Sequence, residues 1–353
     1  MIAQMREPSG QTAVGVVGCG YFARYHLQAW RALAAEGAVL AAVCDLDADV
    51  AQNAAREFGA VRWYTDAQAM LATERLDLVD VATRMDTHRR LVELALARHV
   101  PTVVQKPMAP TFAECSAMVA EADAGGIFFA VHENFRFQRP VQRLKEILES
   151  GEIGAVTWAR IGLRTGIDVY RNQPYLRDEK HLIVLDLGIH LLDLARFLVG
   201  EVAHLTCETQ RRNPSAAGED TAAMLLRHDS GVVSVVECTY ENRRSTGGDV
   251  LIEVEATAGG AELLAGGDLV VTTPGGRRLE RVPRPTLEWA QPPFDFALEA
   301  VLATCRHMLL AVRSGRPADT NGHDNLKTLA LVEAAYLSAA TRTIVAPATV
   351  RPQ

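Results

Sequence analysis

Val14-Gly15-Val16-Val17-Gly18-Cys19-Gly20-Tyr21-Phe22-Ala23 is the stretch that decides the fold. The β-branched run of Val14, Val16 and Val17 reads as a buried strand. It feeds straight into a G-x-G-x-x-A turn, and from Tyr21 and Phe22 onward the chain reads as helix. Gly18 permits the tight turn. Gly20 has no Cβ, so a pyrophosphate can approach the backbone there. Ala23 is small enough to let the helix pack on the strand. An anion is then held at the helix N-terminus, where free N–H groups and the helix dipole favour it.

A second strand, 39–44, follows the helix and ends at Asp45. An acid at that tip can accept the ribose hydroxyls of a dinucleotide and repels a 2′-phosphate, so the expected cofactor is NAD rather than NADP. The plain alternative is a glycine-rich turn with an incidental Asp. It leaves unexplained why strand, glycines, helix, strand and acid come in this order.

Outward from this stretch, strands are expected at 14–17, 39–44, 61–64, 78–82, 102–104 and 127–131, with helices at 21–36, 47–58, 66–72, 86–98 and 111–124. That alternation predicts βαβ units and a parallel sheet. Beyond about residue 133 the pattern changes. Helices at 138–149 and 187–198 accompany strands at 155–164, 201–210, 221–228, 232–240, 250–256, 261–264 and 268–273. The fold class expected is therefore an α/β Rossmann domain over 1–133 and an α+β domain over 134–353 with a large, mainly antiparallel sheet. A last helix, about 322–342, is expected to pack back near the first domain, and 283–293 is expected to be a proline-rich surface loop.

Composition sets limits. The chain has 353 residues, too many for one typical core, and 48% are hydrophobic. Its net charge of −7 argues against nucleic-acid or anionic-membrane partners. Six scattered cysteines form no C-x-x-C pair and suit a reducing compartment. The polar segment 1–12 does not read as a signal peptide, and no apolar run is long enough to span a bilayer. A cytoplasmic protein is expected.

Two further places carry chemistry. Lys106 lies between Gln105 and Pro107 at the end of the fifth strand, where open parallel sheets present residues to ligands. The alternative is an exposed strand-end lysine. Asp186-Leu187-Gly188-Ile189-His190-Leu191-Leu192-Asp193 places Asp186 and His190 four apart at a helix start, on one face. An N-cap Asp and a core His would give the same pattern.

Together, the glycine turn with His26 beyond it, Gln105-Lys106-Pro107, and the D-x-G-x-H-x-x-D string resemble the glucose–fructose oxidoreductase/inositol dehydrogenase (Gfo/Idh/MocA) family, over nearly the whole chain. The resemblance implies an NAD-dependent oxidoreductase acting on a CH–OH group. Lys106 would polarise the reacting hydroxyl, His190 would take its proton, and Asp186 would orient the substrate, with base and polariser exchangeable on sequence grounds. It also implies cofactor contacts from Thr83, His88, Gln105 and Asn134. Two departures stand out. Gln105 replaces the family's usual Glu. Thr83-Arg84-Met85-Asp86-Thr87-His88 lacks the Pro-Asn of the usual T-P-N-x-x-H. Asp186, His190 and Asp193 are ligand-type residues, but they share one helix and the family pattern carries no metal, so none is expected.

Longer strings narrow the resemblance. Val131-His132-Glu133-Asn134-Phe135-Arg136-Phe137-Gln138, Arg164-Thr165-Gly166-Ile167-Asp168-Val169-Tyr170, Gln173-Pro174-Tyr175-Leu176 and Gly218-Glu219-Asp220 resemble members of the family that oxidise the branched pentose D-apiose to its lactone. Arg136, Arg164, Asp168 and Tyr175 are the implied sugar contacts. Each could equally be a surface ion pair or a core tyrosine. Three other readings stay open: a different sugar or inositol, NAD-dependent glycoside cleavage, or a non-catalytic dinucleotide-binding regulator. An open sheet face in the second domain would need covering, which predicts a homo-oligomer, a dimer or tetramer.

Overall fold

A computed structural model describes residues 10–244, 247–283, 285, 287 and 295–349. The first part of the chain alternates β1 (Thr12–Val17), α1 (Ala23–Ala32), β2 (Ala38–Cys44), α2 (Ala48–Phe58), β3 (Arg62–Tyr64), α3 (Ala67–Thr73), β4 (Leu78–Val81), α4 (Met85–Leu96), β5 (Thr102–Gln105), α5 (Phe112–Gly125) and β6 (Phe129–His132). The six strands pair in parallel in the order β3-β2-β1-β4-β5-β6. That is the doubly wound order in which ligands sit at the strands' carboxyl ends. Central strands buried on both faces read as apolar runs, as β4 and β5 do. The expected helix 21–36 ends earlier as α-helix: α1 stops at Ala32, and a 3₁₀ turn over Leu33–Glu36 runs to Gly37 in the left-handed region.

The second set begins with a 3₁₀ turn, Phe135–Phe137, and α6 (Arg139–Ser150), followed by β7 (Val156–Arg164). A π-helical turn, Val184–Gly188, then runs into α7 (Ile189–Val199). β8 (Val202–Gln210), β9 (Thr221–His228), β10 (Val233–Thr239), β11 (Val250–Ala256), β12 (Gly259–Leu263), β13 (Leu269–Thr273) and β14 (Gly276–Glu280) complete a sheet ordered β14-β13-β12-β11-β7-β10-β9-β8. Only its β7–β10 pair is parallel. Two long helices close the described chain, α8 (Asp295–Ser314) and α9 (Gly322–Thr341).

Three sequence expectations change here. The helix expected from 187 begins as α-helix at Ile189, because the preceding turn is π. Strand β14 and helix α8 were not expected. In α8 the buried residues Leu298, Val301, Cys305, Met308 and Leu309 recur at helical spacing on one face, a stripe that the sequence reading passed over. The expected loop 283–293 lies mostly outside the described residues.

By contacts, the chain divides into one unit running through Glu133 plus Val301–Asn325, and a second of Asn134–Ala300 plus residues from Leu326 on. Residues 301–325, expected with the second domain, thus group with the first. The reason is packing: Val301, Cys305, Met308 and Leu309 share one core with Val14, Leu27, Trp30 and Leu78. Each such fully buried aliphatic side chain contributes roughly 1.5–3 kcal/mol. Just ahead of α9, Thr320 exchanges backbone and hydroxyl hydrogen bonds with Val131 of β6. Among the described residues, no helix is long and apolar enough to cross a membrane.

Candidate active site

In the first unit the site is built mainly from backbone. Gly18 sits at φ +99°, and a Cβ there would lie 2.5 Å from the Ala82 carbonyl oxygen. Its N–H donates to the Cys44 carbonyl, 2.8 Å. The next N–H, of Cys19, donates to Asp45 Oδ2 at 2.9 Å, while Asp45 Oδ1 accepts from the Asp47 N–H at 3.1 Å. The glycine turn is therefore laced to the tip of β2 through Asp45. At Gly20 a Cβ would meet nothing within 4 Å. Packing does not require glycine there, and the open approach to its backbone fits a dinucleotide pyrophosphate. Tyr21 and Phe22 are half-buried ahead of the buried Ala23, and each packs edge-on against Tyr25. Leu46, missed in the sequence reading, is 92% exposed directly after Asp45 and offers an apolar face there.

Beneath α1 lies a buried polar cluster. Asp80 Oδ2 accepts from Trp30 Nε1 at 2.7 Å and pairs with His26 Nδ1 at 2.9 Å. The His132 ring lies 4.1 Å from that of His26, and its Nε2 is 3.7 Å from Cys305 Sγ. Burial would raise the Asp80 carboxyl, yet His26, His132 and Trp30 together hold it below its usual range. Burial first, and His26 second, push the His132 imidazole down to about 3.

The loops after β4 and β5 are tied to each other by His88. Its Nε2 lies 3.1 Å from the Thr83 carbonyl, and its Nδ1 lies 3.0 Å from that of Pro107. The ring is 1% exposed, and burial lowers its pKa. A neutral imidazole donates from one nitrogen only. Both ring nitrogens thus face backbone carbonyls inside the protein. The Thr83 hydroxyl pairs with that of Thr87 at 2.7 Å. Gln105 turns its Oε1 back onto the Lys106 N–H at 2.8 Å, and the Lys106–Pro107 peptide is cis. Lys106 is half-buried at this strand end.

The second unit builds its part from side chains. Asp186 lies on the π turn, and its Oδ2 accepts from the Tyr240 hydroxyl at 2.6 Å. Burial first, then the Asp186 carboxylate, push the Tyr240 phenol well above its ordinary pKa, so it stays a donor. The start of the π turn is capped from afar. Glu219 Oε1 accepts from the N–H groups of Leu182 (3.0 Å) and Val184 (3.4 Å) and from the Tyr336 hydroxyl (2.8 Å), which itself accepts from the Leu185 N–H at 3.1 Å. Helix starts leave such N–H groups unsatisfied, and a carboxylate there also suits the dipole. π turns recur at functional sites. His190, in the first turn of α7, is buried with its ring stacked on Phe135 at 3.9 Å and 6°.

Several expected residues turn out differently. A Cβ on Gly188 would make ordinary contacts with Ile183, Val184 and Cys238. It packs against the interior. Arg136, expected to hold sugar, is 5% exposed and forks onto Asp193 through Nε (2.8 Å) and Nη2. Thr328 also donates to Asp193 at 3.1 Å. The last Asp of the D-x-G-x-H-x-x-D string is thus one end of a buried ion pair that fastens the Phe135–Phe137 turn to α7. Asn134 is buried, and its carbonyl accepts from the Phe137 N–H at 3.0 Å. Arg164 is exposed, and its carbonyl accepts from Asn242 Nδ2. The Tyr175 hydroxyl donates to Gln173 at 2.8 Å. Of the four expected sugar contacts only Asp168 lines a cavity of about 850 Å³, which it shares with Tyr240. Tyr240, Glu219 and Tyr336 were missed because each lies tens of residues or more from the motif it supports. Among the described residues, no three His, Cys, Asp or Glu side chains are grouped to hold a metal ion.

A doubly wound dinucleotide-binding unit and an α+β unit carrying the half-buried Asp186 with the buried His190 and Tyr240 point to a nucleotide-dependent oxidoreductase. Comparison with known proteins makes this specific. Residues 12–133 match the model described as oxidoreductase family, NAD-binding Rossmann fold, and residues 141–262 match the GFO/IDH/MocA C-terminal domain. The chain is 45% identical over 326 residues to a D-apiose dehydrogenase of Paraburkholderia graminis, covering 92% of this chain and 86% of that one. It is 43% identical to a D-apiose dehydrogenase of Rhizobium rhizogenes, covering 92% and 94%. An Agrobacterium radiobacter oxidoreductase, solved with NAD+, L-tartaric acid and magnesium, superposes with TM-score 0.92 at 41% identity, covering 96% of this chain and 99% of that one. The chain belongs to the Gfo/Idh/MocA family and is an NAD-binding oxidoreductase.

Proposed function

We propose that this enzyme oxidises the anomeric hydroxyl of D-apiose to the lactone. The observation that carries the reading is the 45% identity to a D-apiose dehydrogenase across 92% of the chain, both units included. In this reading Gly18, Gly20, Tyr21, Phe22 and Ala23 cradle the pyrophosphate. Asp45, held by the Cys19 N–H, presents its remaining lone pairs to the ribose and disfavours NADP. Gln105, Thr83 and Asn134 border the nicotinamide. Bound NAD supplies the hydride acceptor. Lys106 holds the reacting oxygen and His190 takes its proton as general base. Asp186, fixed by Tyr240, orients the sugar. Asp168 is kept as a sugar contact.

The enzyme is further proposed to be cytoplasmic, which suits its six free, buried cysteines. It is also proposed to form a homo-oligomer. The outward face of β9 and β11 bears Leu225 and Leu251, 51% and 46% exposed, which a second copy would cover. Sedimentation measures that state directly, and a monomer at working concentration would dismiss it.

The function is tested by NADH formation from purified protein across D-apiose, other aldopentoses, hexoses and inositols, with NADP in parallel. Selective turnover of D-apiose with NAD is expected. Preference for an inositol or another sugar would discard the substrate while keeping the class. Tight NAD binding without turnover of any member would favour a glycosidase or regulator.

A further inference from the structure

β10 runs parallel to β7, and β8 and β10 are both antiparallel to β9. β7, β8 and β10 therefore all end on the same side of their sheet. The loops that leave them line an open groove of about 850 Å³, within the range of small-molecule sites.

Its lining carries unusual charge. Arg177, Arg243 and Arg244 line it, together with the carboxylates of Asp168 and Glu241. Among the described residues none of these five forms an ion pair, whereas Arg136, Arg143, Arg160 and Arg306 all do. The opposite charges are held apart across the space instead of closing on one another. Arg177 lies over the Tyr170 ring at 4.5 Å and donates to Ser215 Oγ at 2.8 Å, so its guanidinium is held in place. Tyr170 is 6% exposed, and its hydroxyl is buried with no partner among the described residues.

This combination selects a ligand chemistry. Guanidinium forks match carboxylates, while Asp168, Glu241 and Asn242 suit hydroxyl groups. A neutral sugar would leave the guanidiniums unanswered, and a phosphate dianion would be opposed by the two carboxylates. We infer that this groove is a binding site for a polyhydroxy carboxylate, and that its ligand is the aldonate formed when the lactone product opens. In that opening water adds to the lactone carbonyl, the acyl C–O bond to the ring oxygen breaks, and the acid loses its proton. The identity of this ligand rests on the proposed lactone-forming reaction; the preference for an anion bearing hydroxyls rests on the groove alone. Tyr240 and Asp168 join the two places: Tyr240 lines the groove and holds Asp186, and Asp168 lines it as the proposed sugar contact. An aldonate bound here acts on the oxidation as a product regulator.

The test uses the full chain and calorimetric titration at fixed ionic strength with D-ribonate, D-ribose and inorganic phosphate. D-Ribonate should bind most tightly of the three. The double variant Arg243→Gln/Arg244→Gln, both sites exposed, should weaken it by about tenfold or more, the loss expected when charge-assisted hydrogen bonds go. D-Ribonate should also slow D-apiose oxidation in the wild type and much less in the variant. No heat with D-ribonate, equal affinity in wild type and variant, or phosphate binding as tightly as D-ribonate would each overturn the site. D-Ribonate binding that the variant loses, in a protein that does not oxidise D-apiose, would remove the proposed function and its ligand assignment while leaving a hydroxycarboxylate site.

Discussion

In the proposed reading the two units each hold a polar ligand group in place, by different means. In the first, the glycine turn works through main-chain atoms, and the support of Asp45 arrives within thirty residues. In the second, Asp186 and the π turn depend on side chains from the residue just after β10, from the loop before β9 and from α9. A main-chain site is specified by a contiguous string and tolerates few substitutions within it. A side-chain site is specified by residues that meet only after folding, and its members can be altered one at a time.

The sharpest way to break this contrast is at the two glycines. Gly18→Ala sets a Cβ against the Ala82 carbonyl at a positive φ, so the turn itself must move. NAD affinity should fall by about a hundredfold or more, with a lowered melting temperature, since each 1.4 kcal/mol is tenfold. Gly20→Ala adds its methyl to open space. Its melting temperature should stay near wild type while NAD binding, read by titration calorimetry, weakens. If both variants lose stability equally, the turn is a folding element and the division between the two glycines is wrong.

A buried ion pair comes next. Arg136→Ala leaves Asp193 buried without its main partner and should destabilise the protein by about 3–5 kcal/mol. Arg136→Met with Asp193→Leu should recover much of that, because an apolar pair of similar volume can replace buried charges. Urea unfolding separates this from a sugar-binding role. A raised KM in Arg136→Ala with unchanged stability would restore Arg136 to the substrate.

This pair also shows what the sequence could convey. The Rossmann strands and the glycine turn were legible because each is a local pattern, while Asp45 and the D-x-G-x-H string were legible as motifs that each also had a plain structural reading. Arg136 was legible as a motif residue but not in its role. Its partner lies 57 residues away, and a guanidinium that grips a carboxylate looks the same in sequence as one that grips a sugar. Helix α8 was missed although its buried Val301, Cys305, Met308 and Leu309 recur at the i, i+4, i+7, i+8 spacing of an amphipathic helix. The π turn left no trace in sequence periodicity, and Glu219 and Tyr336 could be recognised as its caps only once the chain had closed.

Tyr240→Phe sharpens the comparison on the side-chain half. It removes one hydroxyl and leaves Asp186 without that donor. The expected result is a fall in kcat of about tenfold with a stability change near 1 kcal/mol, the usual worth of one hydrogen bond. NAD affinity should not move. A change in NAD affinity alone would place Tyr240 on the cofactor rather than on the orientation of Asp186.

The smallest expected effect sets the two units apart in acid. His132, in the first unit, has a folded pKa pushed down to about 3 from 6.5. The unfolded chain therefore takes up its proton first, so stability is full above about pH 6.5 and is lost as pH falls toward about 3. Glu201, in the second unit, is lowered from 4.5 to about 2, chiefly by its hydrogen bonds from Arg196, with Lys327 adding to them. Its contribution is present above about pH 4.5 and fades as pH falls toward about 2. It is small, because the carboxylate is nearly half exposed and screened. Between about pH 6.5 and 4.5 Glu201 does not act, and His132 acts together with His88 and His228, whose imidazoles burial also lowers. His132→Gln should flatten the stability–pH curve in that interval, and Glu201→Gln should change it only below. Urea midpoints at stepped pH read both. If Glu201→Gln alters the upper interval, or His132→Gln leaves it unchanged, the buried imidazole is not the first group to fail, and the acid sensitivity of the Rossmann unit must come from another residue.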